Sequence, residues 1–246
     1  MNWYLATYAD GKFKEKQDFL NKVHESSFSI LSYGREWLEQ SNLYQENKQL
    51  LDESIGAGWW AWKPYIILDA LNKADDGDFV IYCDCGDMFS PGIKDYLIKN
   101  IDDEDLCLLL IGNNKNKQYT KRDCFILMDC DNEDYWDSNQ LEAGFMVWKS
   151  CKESIRVVEE WLNYCLNPKI ISNTPSEMGE ELPEFKEHRN DQSVLTNLAI
   201  TEGLSVGGPE YRNYIECDYD YWYERNKKTG FTLGREIDSF LVQLIK

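Results

Sequence analysis

The chain predicts an α/β layered domain, on three observations. Short β-branched and aromatic runs alternate with segments whose apolar residues recur at helical spacing. A length of 246 residues, 43% of them hydrophobic, suffices for one full core, and no linker divides it. Two carboxylates, Asp84 and Asp87, directly follow one of the apolar runs, and open α/β sheets bind ligands beyond the carboxyl ends of their strands.

The elements follow in order. Residues 3–8 (WYLATY) read as a first strand. Residues 13–26 read as a helix with Phe19, Leu20 and Val23 on one face, residues 28–31 as a second strand, and residues 44–53 as another helix. The helix at 62–71 carries Pro64 in its first turn, where a missing N–H costs nothing, and Ile66, Ile67, Ala70 and Leu71 form its apolar face. Residues 79–84 form the strand that releases the carboxylates. The unbroken apolar run at 106–111 suits a strand covered on both faces. A further strand is expected at 144–148 and a helix at 154–165, with Ile155, Val158, Leu162 and Cys165 inward and Pro168 as its stop. Asp191 opens a last helix with Val194, Leu195, Leu198 and Ala199 inward, ended by Gly203. Two stretches read as loops. Residues 112–122 hold Lys115, Lys117, Lys121 and Arg122, and residues 167–190 hold three prolines and several glutamates. There is no internal repeat or low-complexity tract.

A formal net charge of −18 argues against nucleic acid and anionic membranes as partners, since both need a basic face. No run approaches the ~20 apolar residues of a membrane span. Met1 to Ala9 runs directly into Asp10 and a charged stretch, unlike a leader peptide, so the expected location is cytoplasmic. The eight cysteines show no C-x-x-C and no zinc spacing, and several lie in apolar runs; they read as reduced core thiols.

Four segments hold the candidate chemistry. The strand end Ala6-Thr7-Tyr8 is placed to receive a nucleotide base. The stretch 56–64 (GAGWWAWKP) supplies Trp59, Trp60 and Trp62 as an aromatic wall, or as core, and Lys63 as a phosphate contact. Asp84-Cys85-Gly86-Asp87 offers oxygen ligands to a hard cation, Mg²⁺ or Mn²⁺. The stretch 188–193 (HRNDQS) holds His188 at the pocket, Asp191 as an acid–base candidate or a helix cap, and Gln192 as a hydrogen-bond donor beside it. In so acidic a chain, Lys121 and Arg122 read as a basic clamp for a diphosphate.

These stretches, read as WWAWKPYIILDAL, FVIYCDCGDMF, TKRDCFIL, LEAGFMVWKS and FKEHRNDQSVL, resemble the GT-A-fold glycosyltransferases, in particular a bacterial and viral group with WxWKP, DxD-like and HRxDQS segments. Their order is also similar to that of glycogenin-like and lipopolysaccharide galactosyltransferase-like enzymes. The resemblance implies one GT-A (Rossmann-like) domain over 1–246 with a mixed central sheet flanked by helices, binding nucleotide over about 1–112 and holding acceptor and catalytic residues over about 113–246. It further implies transfer of a sugar from a nucleotide diphosphate sugar to a hydroxyl of a glycan or glycolipid precursor, as in polysaccharide biosynthesis. Asp84 and Asp87 would bind the metal, or Asp87 alone with Asp84 on the ribose. Ala6, Thr7, Tyr8, Lys63, Asp84, Lys121, Arg122, Gly144 and His188 would hold the donor, and Asp191 with Gln192 would act at the reacting sugar. The second acid falls one residue later than in DxD, and the late histidine segment of the galactosyltransferase-like enzymes has no match; residues 230–234 read GFTLG. The alternatives are a nucleotidyltransferase acting on sugar phosphates, although residues 6–11 (ATYADG) hold only one glycine, and a catalytically inactive nucleotide- or carbohydrate-binding module.

Overall fold

The computed structural model describes residues 1–90, 92–102 and 105–216. Cys217 and the 230–234 segment lie outside the described residues. The strands of the central sheet are β1 (Trp3–Ala9), β2 (Ser29–Gly34), β3 (Phe79–Cys83), β4 (Cys107–Lys115) and β5 (Asn139–Lys149), in the order β2-β1-β3-β5-β4, and the short segments Met88–Phe89 and Ile215–Glu216 pair antiparallel beside it. β1 pairs parallel with β2 and with β3, whereas β5 runs antiparallel to both β3 and β4. The sheet is therefore mixed, as expected. The chain leaves β1 toward opposite sides to make β2 and β3, so the crevice beyond the carboxyl ends of β1 and β3 is a topological switch point.

The longer helices are α1 (Lys14–His24), α2 (Trp62–Lys73), α3 (Ile93–Asn100), α4 (Lys152–Cys165) and α5 (Asn190–Glu202). Strand periodicity sorts them onto two faces. Phe79, Ile81 and Cys83 point to one side with Leu20 of α1 and Ile93 and Leu97 of α3. Val80 and Tyr82 point to the other with Ile66 and Ile67 of α2, Trp161 of α4 and Val194 of α5. Asp84 continues the Val80–Tyr82 face just beyond the strand. Its side chain therefore emerges over α2 and α5, not over α1.

Several segments differ from the expectation. The helix expected over 44–53 is two short pieces, Asn42–Glu46 and Lys48–Leu51. Asn47 divides them: its side-chain amide donates to the Leu43 carbonyl, and its own carbonyl accepts from Leu51. The 112–122 stretch is not a loop. Ile111 and Lys115 pair with Leu141 and Asn139 of β5, and Asn116–Tyr119 is helical. Within 167–190, Pro168–Ile171 forms a short helix, and the rest packs over the Lys121 region. Among the described residues no helix is long and apolar enough to cross a membrane. The seven described cysteines are free, and all but Cys151 are buried.

Candidate active site

Asp84 leaves the end of β3 with its backbone tied to the neighbouring strand, its N–H donating to the Gly144 carbonyl at 2.7 Å. The Asp87 N–H in turn donates to the Asp84 carbonyl at 2.9 Å, so the turn folds both carboxylates back toward β5. A β-carbon on Gly144 would lie 2.5 Å from Asp87 Oδ2 and 3.4 Å from Asp84 Oδ2. Only glycine leaves that hollow open, and two carboxylates converge on it. Such oxygens fit a hard divalent cation. Among the described residues no group of three or more His, Cys, Asp or Glu side chains surrounds a metal position, so a cation here would complete its shell with ligand oxygens and water.

Asp84 is held from beneath. The fully buried Tyr82 hydroxyl donates to Asp84 Oδ1, and burial, followed by the Asp84 charge, keeps that phenol well above its usual pKa. Tyr82 went unremarked in the sequence, although its i, i+2 spacing from Asp84 on a strand puts both on one face. Lys63, second residue of α2, lies under the same carboxylate. It is only 3% exposed, with Nζ 3.4 Å from Asp84 Oδ1, 3.2 Å from Asp191 Oδ2 and 2.9 Å from the Ala143 carbonyl to which it donates.

Asp191 lies in the first turn of α5, past the cap position Arg189, and does not cap its helix. Its backbone carbonyl accepts from Trp161 Nε1, which fixes the helix start on α4. Its Oδ2 is buried and has no aligned hydrogen bond beyond the Lys63 ion pair. Burial raises its pKa to about 6; Lys63 opposes the rise and Asp84 adds to it. Gln192 is occupied in part: its Oε1 accepts from the Ala143 N–H and its Nε2 donates to Gln140 Oε1, tying α5 to β5.

Three adjoining cavities run across this edge of the sheet. A cavity of about 670 Å³ is lined by Tyr8, Asp10, Lys12, Phe13, Trp62 and the Asp84–Asp87 turn. The next, about 370 Å³, holds Lys63, Asp84, Gly144, Arg189, Asp191 and Gln192. Trp60 and Asp84 line both. A third, about 830 Å³, is lined by Lys121 and residues 173–181 and 185–188, and it shares Asn173, Glu187 and His188 with the second.

Of the three tryptophans, Trp62 stacks on Tyr8 at 3.8 Å between ring centroids and floors the first cavity. Trp60 stands between the cavities on an unusual turn. Gly56, Ala57, Gly58, Trp59 and Trp60 all have positive φ. A β-carbon at Gly56 would collide with the Trp60 ring at 2.3 Å, so glycine there serves both the backbone and the ring.

Other sequence candidates are placed differently. Ala6 is fully buried, and Thr7 is buried with its hydroxyl bonded to Asn21 and Gln17; of the 6–8 strand end Tyr8 is the residue that lines the first cavity. Lys121 and Arg122 do not form a clamp with Lys63. Lys121 is 1% exposed, with Nζ donating to the Thr174 carbonyl at 2.9 Å and the Ser172 carbonyl at 3.3 Å. Arg122 pairs with Asp131 at 2.8 Å, and Lys117 pairs with Asp137 and Glu184. Acidic neighbours from other segments thus take up charges that the sequence grouped together. His188 borders the second and third cavities, but both ring nitrogens are engaged: Nδ1 by the Lys121 N–H and Nε2 by the Ile170 carbonyl. Burial, with Lys121 adding, lowers its pKa to about 3, so it is neutral and holds backbone together. Arg189, which the sequence placed only as a loop neighbour, lines the second cavity, 3.9 Å over the Tyr119 ring and paired with Glu187 at 3.6 Å.

No protein-family profile and no curated protein sequence matches the chain. Solved structures do resemble it. One is a glycosyltransferase involved in glycosylation of the major capsid of PBCV-1, at 11% identity and TM-score 0.40 over 66% of this chain; the chain spans 66% of that protein's length. A second is mouse xyloside xylosyltransferase 1, at 10% identity and TM-score 0.46 over 92% of each chain. A third is the galactosyltransferase LgtC in complex with donor and acceptor sugar analogues, at 13% identity and TM-score 0.44 over 83% of this chain and 73% of that one. Similarity at this level concerns the path of the chain and not its chemistry.

Proposed function

We propose that the protein is a metal-dependent glycosyltransferase that moves a sugar from a nucleoside diphosphate sugar to a hydroxyl of a glycan or glycolipid acceptor. The observation that carries this reading is the convergence of Asp84 and Asp87 on Gly144, at the switch point of the sheet and beside the buried Lys63–Asp191 pair. Asp84 and Asp87 would hold the cation, Mn²⁺ or Mg²⁺. Bound there, it would supply positive charge to a diphosphate leaving group.

The chain's own residues divide the remaining work. Tyr8 and Trp62 offer an apolar floor to a base in the first cavity. The second cavity receives the sugar, with Trp60 as one wall. Asp191 presents a carboxylate whose pKa of about 6 lets it exist in either protonation state near neutrality. It can accept a proton from a hydroxyl, or stabilise positive charge on a reacting sugar carbon. Arg189, which lines this cavity beside Glu187, suits an anionic group on the donor.

A thermal-shift screen of UDP, GDP, CDP and ADP, each with Mn²⁺ and with EDTA, tests the binding half of the reading. One nucleotide should stabilise the fold with Mn²⁺ and lose that effect in EDTA. Release of free sugar from the matching nucleotide sugar tests the chemical half. Nucleotide binding without any sugar release would indicate an inactive binding module and overturn the reading.

A further inference from the structure

Lys63 was expected to contact a phosphate, and its surroundings leave no room for that. An ammonium has three N–H donors. Three oxygens from three segments surround this one: the Ala143 carbonyl of β5 at 2.9 Å, Asp191 Oδ2 of α5 at 3.2 Å, and Asp84 Oδ1 beyond β3 at 3.4 Å. The face of the Tyr82 ring lies 5.1 Å from Nζ and closes another approach. Two carboxylates within 3.4 Å of Nζ favour the ammonium form, so the group is a cation.

We infer that Lys63 is a positioning residue: it does not bind the donor but sets the distance and orientation between Asp84 and Asp191. The inference deepens the glycosyltransferase reading and rests on it for what the two carboxylates do; the placement itself rests on the three contacts. Asp84 and Asp191 sit on segments far apart in sequence and face each other across the cavity. Asp191 is buried while Asp84 is partly exposed, and like charges this close repel unless a cation lies between them. Lys63 also grips the Ala143 carbonyl, next to the glycine on which Asp84 and Asp87 converge. One side chain thus registers the metal-binding turn, the strand beside it and the start of α5.

The experiment compares wild type with Lys63→Met, which keeps the length and removes the charge, and with Lys63→Met/Asp191→Asn, which also removes the opposing charge. Thermal unfolding is measured first. Lys63→Met should lower the Tm, and the double variant should recover much of the loss because the repulsion is gone. An unchanged Tm in Lys63→Met, or no recovery in the double variant, overturns the placement. UDP and GDP binding with Mn²⁺ and single-turnover sugar release from UDP- and GDP-sugars are measured next. The nucleotide Kd in Lys63→Met should stay within about threefold of wild type, while sugar release falls on the order of 10²-fold. A rise in Kd of about tenfold or more with turnover retained would show that Lys63 contacts the donor, and overturn the inference. If none of UDP, GDP, CDP and ADP binds wild type, the glycosyltransferase reading fails, and the Tm comparison alone decides whether Lys63 holds the two carboxylates.

Discussion

Lys63 and Lys121 are buried to nearly the same degree, at 3% and 1% exposure, yet their ammonium groups meet different company. Lys63 lies between two carboxylates and has a raised pKa. Lys121 is wrapped by the Ser172 and Thr174 carbonyls and the Thr174 hydroxyl, and burial lowers its pKa. Around Lys63, charges from α2, α5 and the β3 turn are coupled, which is how reactive carboxylates are kept in place. Around Lys121 a cation ties down the turn at 172–174, with His188 clamped on its backbone. Two lysines that look alike in a sequence therefore join a pair of carboxylates in one case and a cavity wall in the other.

The largest expected effect separates the two directly. Lys63→Met strands two carboxylates and should cost about 3–5 kcal/mol, the range for breaking a buried ion pair. Lys121→Met gives up hydrogen bonds to neutral oxygens and should cost about 1–3 kcal/mol. Urea unfolding of both variants at pH 7.5 measures this. An equal or larger loss in Lys121→Met would break the comparison.

The pH dependence of stability should have opposite signs in the two regions. The folded-state pKa of Asp191 is raised to about 6, so between about pH 4 and 6 the folded chain holds a proton that the unfolded chain has released. Its contribution to stability therefore falls as pH rises through that window, by ~2–3 kcal/mol in total. Asp191→Asn should remove this component. His188 has its pKa lowered to about 3, so below about 6.5 the unfolded chain binds a proton that the folded chain refuses. Its contribution falls as pH drops, by about 2 kcal/mol at pH 5. His188→Gln should flatten that limb. Stability curves from pH 4 to 7.5 for the two variants and wild type show whether the slopes change in opposite directions; a same-signed change would remove the distinction.

The smallest effect is expected at Trp60, beside the Lys63 centre and away from Lys121. Trp60→Ala should weaken nucleotide-sugar binding by roughly 1 kcal/mol, the size of an aromatic contact. Gly56→Ala should do much the same, because its methyl group must push the Trp60 ring aside. Titration calorimetry with the nucleotide sugar, compared with the free nucleotide, would reveal the effect. An equal loss for the free nucleotide would move Trp60's role from the sugar to the base.

Much of the frame could be read before any coordinates. Short apolar runs marked β1, β3 and β4, helical spacing marked α2, α4 and α5, and Gly203 ended α5 with φ at 64°. The Asp84–Asp87 turn was legible because a strand end is a local feature, written in neighbouring residues. Tyr82 was legible in principle, by its spacing from Asp84. Most partners of Lys63, Lys121 and His188 were not, because they are met across long stretches of chain, and no local pattern records which segment will fold against which. Composition counted the cations at 112–122 but could not know that Asp131, Asp137 and Glu184 would pair with two of them, Lys117 and Arg122. The sequence by itself determined an alternating chain with two acids at a strand end, since local sterics and hydrophobic period suffice for that. The tertiary structure decided which charges are buried together, because the energy of a buried charge depends on the few ångströms that separate it from its partner.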